Sequence, residues 1–276
     1  MRNGTRILLY RGFICLLFIV LIYYLSIREL FQNENKDSKR RLALIIRGEA
    51  FRKGGQGNRD DGMSESYDEQ KAACNTHLEL IHKIEQQGYE VDVYINSYNT
   101  EYNNEILGWY GKYVKDYRFH EQKLANQMEL IKNAIEMIHD KLNTYDTLLI
   151  IRIDIYLKER FIKEYNADNN TVQIPFVLWS LNYKTPKGNP MLTDIIIHFP
   201  KIHYDKLYAR YSGEVHDHDF LDIVPLEYEK EYSLMTRNFH DADSAKDFNP
   251  YYRMIGRTEN MNWYDGSLKE FPKDFI

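Results

Sequence analysis

The chain has 276 residues, 36 basic against 41 acidic side chains, a formal net charge of -5 and 43% hydrophobic residues. That length supports one large domain or two small ones with a core of their own, and an acidic balance with no dominant basic face argues against a nucleic-acid binder. Of the two cysteines, Cys15 sits in an apolar N-terminal stretch and only Cys74 follows it, which excludes a disulfide within the remainder of the chain.

Residues 12–27 (GFICLLFIVLIYYLSI) carry no charge, and apolar residues 7–10 precede them across Arg11. As a helix rising 1.5 Å per residue the combined stretch reaches about 31 Å, against a hydrocarbon core of about 30 Å, with Arg11 snorkelling to the headgroups. No small-x-small cleavage pattern follows, so the stretch reads as a retained transmembrane anchor rather than a cleaved signal. Arg2, Arg6 and Arg11 precede it while Arg28, Lys36, Lys39, Arg40 and Arg41 follow it, so positive charge does not choose the orientation. A short tail over residues 1–11 and a long domain behind the helix predict a type II signal anchor with a luminal domain. On that topology Asn169-Asn170-Thr171 is an accessible glycosylation sequon and Asn3-Gly4-Thr5 is a cytoplasmic one.

A polar tether over residues 28–40 leads into a single domain, residues 41–276, without internal repeats, low-complexity tracts or a second linker. Residues 42–46 (LALII) form the continuous apolar run of a buried parallel strand, ending at Arg47-Gly48. The following Gly54-Gly55-Gln56-Gly57 lacks the Gly-Lys-Ser/Thr ending of a phosphate loop and reads as a surface loop. Ser66-Tyr67-Asp68-Glu69 matches a capping box, predicting a helix from there to about residue 87, stopped by Gly88. Residues 89–96 and 114–119 read as the next strands. Leu124, Met128, Ile131, Ile135, Ile138 and Leu142 then line one face of a helix over residues 120–142. Residues 147–151 (TLLII), 172–179 and 195–199 are further strands, and residues 201–211 a further helix. The alternation predicts an α/β fold with a doubly wound parallel sheet. Ligands of such sheets bind beyond the carboxyl ends of the strands, which directs attention to the residues after Ile46, Ile95 and Ile151.

The sharpest chemical feature is Arg152-Ile153-Asp154, two ionisable residues ending an apolar strand. Two positions apart on an extended strand they share a face, and burial requires that they pair with each other or face a cleft.

Tyr145-Asp146, the apolar strand and Arg152-x-Asp154 together resemble the region of GT-A-type nucleotide-sugar glycosyltransferases that carries an Asp-x-Asp motif, in the Arg-x-Asp form of some microbial and viral families. The resemblance implies a GT-A-like (Rossmann-like), mostly parallel sheet flanked by helices behind the transmembrane helix. It also implies transfer of a sugar from a nucleotide-sugar donor to a glycan or glycoprotein acceptor, in the Golgi or endoplasmic reticulum or at a host or viral membrane. Carried over, Asp154 would hold a divalent cation, Mn²⁺ or Mg²⁺, on the donor diphosphate. Arg152 stands where the family has its first carboxylate, and its guanidinium is the alternative neutralising group. Arg47 and Arg52 occupy the place where such enzymes begin to hold the nucleotide, and Gly48 would allow close backbone approach. Asp92 either contacts a ribose or base or lies on the polar side of an alternating strand. An inverting transfer needs a base for the acceptor hydroxyl, for which Asp194, Glu214 and Asp217 are candidates with no spacing rule to choose among them. His216-Asp217-His218-Asp219 is either a metal patch or a solvated charged turn.

Two other readings compete. A Golgi-type sulfotransferase shares the type II anchor, but its phosphosulfate loop is followed closely by a helix, and here Arg47 and Ser66 stand far apart. A non-catalytic, membrane-tethered carbohydrate-binding or envelope protein would keep the fold without turnover.

Overall fold

The structure, a computed structural model, describes residues 20–24, 39–55, 58–60, 62–121, 127–174, 177–178, 191–192, 195–205, 207, 232–234 and 251–255. The chain divides into two units, Met1–Lys39 and Arg40–Ile276. In the first, residues 20–24 are helical with exposed apolar side chains. The rest of the expected membrane span lies outside the described residues, among which no helix is long and apolar enough to cross a membrane.

The second unit opens with β1 (Arg40–Gly48), which extends beyond the apolar run at both ends. Its Leu42, Leu44 and Ile46 enter one hydrophobic cluster and Ala43 and Ile45 the other, so the strand is buried on both faces. That two-sided burial is why it reads as a continuous apolar run rather than an alternating one. The short β2 (Lys53–Gly55) and β3 (Asn58–Asp60) pair antiparallel around the glycine-rich segment.

Next comes α1 (Tyr67–Gln86), which buries Ala73, Leu80, Ile81 and Ile84 along one face and gives way at Gly88, whose φ is +88°. Its start differs from the capping box expected. A 3-10 turn over Ser64–Ser66 precedes the helix, so Ser66 has φ -95° and ψ 6° instead of the extended conformation of a cap. Its hydroxyl donates to the Arg52 carbonyl at 2.8 Å.

The chain continues through β4 (Tyr89–Tyr98), α2 (Asn103–Tyr110) and β5 (Val114–His120). Of the helix expected over residues 120–142, Gln127–Ile138 is described as α3, while His120 belongs to β5 and a 3-10 segment His139–Thr144 follows. Ile131, Ile135, Ile138 and Leu142 are buried in the second cluster, on the face the periodicity indicates.

After β6 (Thr147–Arg152) a two-residue turn leads to β7 (Ile155–Leu157), α4 (Glu159–Glu164) and β8 (Val172–Ile174). Then come β9 (Val177–Leu178), β10 (Met191–Leu192), β11 (Ile196–Pro200), β12 (Tyr232–Leu234) and β13 (Tyr252–Met254). Of the helix expected over residues 201–211, a 3-10 turn Lys201–His203 and the α-helical residues Tyr204, Asp205 and Leu207 are described.

Seven strands form the main sheet in the order β12-β8-β11-β6-β1-β4-β5. β6, β1, β4 and β5 are parallel, whereas β11 runs antiparallel to both β6 and β8. The sheet is therefore mostly parallel, as expected, with β11 as its antiparallel member. Between β8 and β11 the described elements are the paired β9 and β10. Separately, β13 pairs antiparallel with β7, which brings residues 251–255 against the turn that follows β6.

Candidate functional site

Three parallel strands change character at one level. Asn96 of β4, Arg47 of β1 and Arg152 of β6 are in register, directly after the apolar layers formed by Ile95, Ile46 and Ile151. The order of strands reverses here, since β4 and β5 lie on one side of β1 and β6 on the other. This is the topological switch point of an open α/β sheet, where the segments leaving adjacent strands part and such sheets offer a ligand crevice.

The residues after β6 do not stay extended. Ile153 and Asp154 form a turn, in which the Ile153 N–H donates to the Arg47 carbonyl at 2.6 Å and the Ile255 N–H to the Asp154 carbonyl at 2.9 Å. The turn folds the carboxylate back onto the guanidinium two residues earlier: Arg152 Nε donates to Oδ1 at 2.7 Å and Nη2 to Oδ2 at 2.6 Å. Of the two alternatives open for this pair, mutual pairing holds. Arg52 Nη1 reaches the same Oδ2 at 3.4 Å, and Arg52 Nε lies 4.0 Å from Glu49 Oε2. Arg47, Glu49, Arg52, Arg152 and Asp154 are all at most 5% exposed.

Backbone geometry permits this arrangement at Gly48. Its φ of +117° is a conformation that side-chain-bearing residues rarely adopt, and its carbonyl accepts from Ser97 Oγ at 2.7 Å. Three residues on, Phe51 has φ +53° and packs among Tyr67, Tyr102 and Trp109 at ring separations of 5.9, 4.8 and 6.0 Å.

Two side chains of α1 hold the turn from behind. Gln70 Nε2 donates to the Ile153 carbonyl at 2.7 Å, and its Oε1 accepts from the Phe51 N–H at 2.9 Å, so one amide ties the segment after β1 to the turn after β6. His77 Nε2 bonds the Ile155 carbonyl at 2.8 Å, and Nδ1 bonds the Tyr110 hydroxyl at 2.7 Å. A carbonyl only accepts, so Nε2 carries the proton and Nδ1 accepts from Tyr110. Burial pushes the His77 pKa down to about 4, against the partly opposing bond to Ile155. Gln70 and His77 escape a reading of the sequence; the only signal is that both fall on the buried face of an amphipathic helix.

Asp92 lies apart from this group. It pairs with Ala43, near the amino ends of β1 and β4, and accepts from Arg41 Nη2 at 2.5 Å and the Tyr145 hydroxyl at 2.8 Å, with Lys115 Nζ 3.2 Å away. The separation from Gly48 along β1 is five residues, about 16 Å at strand rise. Its carboxylate closes a structural ion cluster at the opposite end of the sheet from the crevice, so the ribose or base contact considered for it is not where the structure puts it. Asp194, Glu214 and Asp217, and the segment His216-Asp217-His218-Asp219, lie outside the described residues. His198 is buried, bonded to the Tyr165 hydroxyl at 3.0 Å and the Asn169 carbonyl at 2.8 Å, as a packing residue.

The donor set at Asp154 does not suit a divalent cation. A hard cation takes about six oxygen ligands, and here both oxygens of one carboxylate are engaged by guanidinium groups. Among the described residues no cluster of three or more His, Cys, Asp or Glu side chains is placed to hold a metal ion. Arg47, Arg52 and Arg152 suit an anion instead, because a planar guanidinium forks onto carboxylate or phosphate oxygens.

No family model matches the chain, and no curated protein sequence does. Among solved structures it is similar to a glycosyltransferase involved in the glycosylation of the major capsid of PBCV-1, at 8% identity over 78% of this chain and 92% of that one, with a TM-score of 0.42. A Drosophila β1,4-galactosyltransferase 7 mutant in complex with manganese, UDP-Gal and xylobiose matches at 11% identity over 86% of this chain and 78% of that one, TM-score 0.38. A 4-diphosphocytidyl-2C-methyl-D-erythritol synthase from Anaerococcus prevotii matches at 12% identity over 72% of this chain and 89% of that one, TM-score 0.42.

Proposed function

We propose that the chain is a glycosyltransferase that takes a sugar from a nucleotide-sugar donor, with the donor diphosphate seated beyond the carboxyl ends of β1 and β6. The observation that carries the reading is the convergence of buried Arg52 and Arg152 on Asp154 at the switch point, with Arg47 in register beside Arg152. Buried charge is costly unless it is paired and used, and guanidinium groups in an α/β crevice match a phosphoanion. The resemblance of Arg152-x-Asp154 to the Asp-x-Asp motif of GT-A-type enzymes supports a sugar nucleotide as that phosphoanion.

The acceptor in this reading is a glycan or glycoprotein. The apolar stretch at residues 12–27 anchors the enzyme as a type II single-pass protein. Asp194, Glu214 and Asp217 stay the candidates for the base that takes the acceptor proton.

The test is a panel of UDP- and GDP-sugars offered to the full chain in detergent, read by calorimetry and by release of nucleoside diphosphate. One donor should bind and be slowly hydrolysed, and Arg152→Met should abolish both. Binding without turnover, with or without added glycan, would favour the non-catalytic module, and no binding of any donor would end the transferase reading.

A further inference from the structure

We propose that the leaving diphosphate is neutralised at this site by guanidinium groups and not by a divalent cation, Asp154 serving as a positioning residue for Arg152 and Arg52. The proposal rests on the nucleotide-sugar reading above and concerns how that same site handles charge.

The geometry assigns the roles. Asp154 is completely buried, and Arg152 grips it through two parallel bonds of 2.7 and 2.6 Å, one to each oxygen. A cation bound to Oδ2 at about 2.1 Å would lie within about 5 Å of Arg152 Nη2 and about 6 Å of Arg52 Nη1, so two guanidinium charges oppose its entry. To ligate metal, Asp154 would have to use a remaining lone pair beside both guanidinium charges or give up a bond to Arg152.

The opposite assignment keeps the bonds between Arg152 and Asp154 in place. The turn at Ile153-Asp154 is anchored by Gln70 and by the Arg47 carbonyl, and the carboxylate it presents fixes the Arg152 side chain at the mouth of β6. Arg47 occupies the neighbouring position of β1, in register, with strands about 4.8 Å apart.

In the transfer step the bond between the anomeric carbon and the diphosphate oxygen breaks, and its electron pair stays on that oxygen. The guanidinium groups take up the charge that develops there. The acceptor hydroxyl oxygen bonds to the anomeric carbon, and its proton passes to a carboxylate base. No oxidant, reductant or further co-reactant is required.

The discriminating measurement is calorimetric titration of the full chain with UDP and with GDP, in EDTA and then in Mn²⁺, alongside hydrolysis of the donor identified by the panel. A diphosphate should bind in EDTA within about threefold of its affinity in Mn²⁺, and hydrolysis should persist in EDTA. Arg152→Met should weaken binding at least about tenfold under both conditions. Asp154→Asn should weaken binding equally with and without Mn²⁺, as expected when the carboxylate acts through Arg152. Binding or hydrolysis that appears only with Mn²⁺ and vanishes in Asp154→Asn would overturn the proposal while leaving the glycosyltransferase reading intact. Absence of binding and hydrolysis under both conditions would overturn both. The comparison of EDTA with Mn²⁺ uses the unaltered chain, so a variant that fails to fold does not blunt it.

Discussion

The Tyr110 hydroxyl donates to Nδ1 of His77 at 2.7 Å, which leaves Nε2 as the donor to the Ile155 carbonyl, one residue beyond Asp154. A histidine held this way sets the backbone of the turn without touching the crevice. His77→Ala strands the Tyr110 hydroxyl and the Ile155 carbonyl in a buried site and should cost about 3 kcal/mol, while His77→Gln, able to keep one bond, should cost about half as much. Urea unfolding measures the stability. Donor hydrolysis should show a lower kcat at nearly unchanged KM in His77→Gln, and an unchanged kcat would remove the positioning role.

The same residue ties stability to pH. Burial holds the pKa of both His77 and His198 down at about 4, below the value of about 6.5 for an exposed histidine. Between those values the unfolded chain binds protons that the folded one refuses. Stability is therefore full above about pH 6.5 and falls as pH drops toward 4, by about 3 kcal/mol for each histidine. Melting temperatures across that range should decline, and His198→Asn should flatten part of the slope. A slope unchanged in that variant would remove His198 from the pH dependence.

Asp92 makes a contrasting case. Its contacts with Arg41, Tyr145 and Lys115 tie β4 to β1, to the segment two residues before β6 and to β5, far from the crevice. Asp92→Asn should lower stability by about 2 kcal/mol through the weakened ion cluster and leave nucleoside diphosphate affinity unchanged. A tenfold loss of affinity in a folded Asp92→Asn chain would return this residue to the binding site.

What could be read from the sequence follows the same division. Strands buried on both faces, such as residues 42–46 and 147–151, declare themselves as unbroken apolar runs. Arg47 and Arg152 stand out because they end those runs. The direction of β11 is not legible, since Ile195-Ile196-Ile197 reads the same whether the strand runs parallel or antiparallel. Asp92 is ambiguous because Val91-Asp92-Val93 is the pattern of a polar strand face as much as of a ligand contact. Gln70 and His77 bond backbone carbonyls brought close only by the fold, and such pairings leave no spacing signal.

Gly48 tests whether the crevice depends on a backbone only glycine adopts. A Cβ there would meet Ile153 Cγ2 at 3.8 Å and Asp154 Oδ1 at 3.9 Å, which is ordinary contact, so space is not limiting. The cost of Gly48→Ala comes from φ +117° and should be about 2 kcal/mol. Relief of that strain would rotate the peptide next to the Arg47 carbonyl, which accepts from Ile153. Diphosphate affinity should therefore fall together with stability. An affinity that survives the loss of stability would separate the backbone of Gly48 from the site.

The type II orientation can be checked through Asn169. Its side chain is half-buried in the loop between α4 and β8, and its Oδ1 accepts from the Thr171 N–H at 2.9 Å and hydroxyl at 2.7 Å. With the domain in the lumen of a eukaryotic secretory pathway, the Asn169-Asn170-Thr171 sequon meets the glycosylation machinery during synthesis, before those bonds close, and a glycan should be added there. Treatment with an N-glycanase should then shift the chain by one glycan, and Asn169→Gln should abolish the shift without changing donor hydrolysis. Because Asn3-Gly4-Thr5 lies on the other side of the expected span, a shift that persists in Asn169→Gln and disappears in Asn3→Gln would establish the reverse orientation. That result would place the diphosphate site in the cytoplasm, where the acceptor would have to be a cytoplasmic or membrane-embedded glycan.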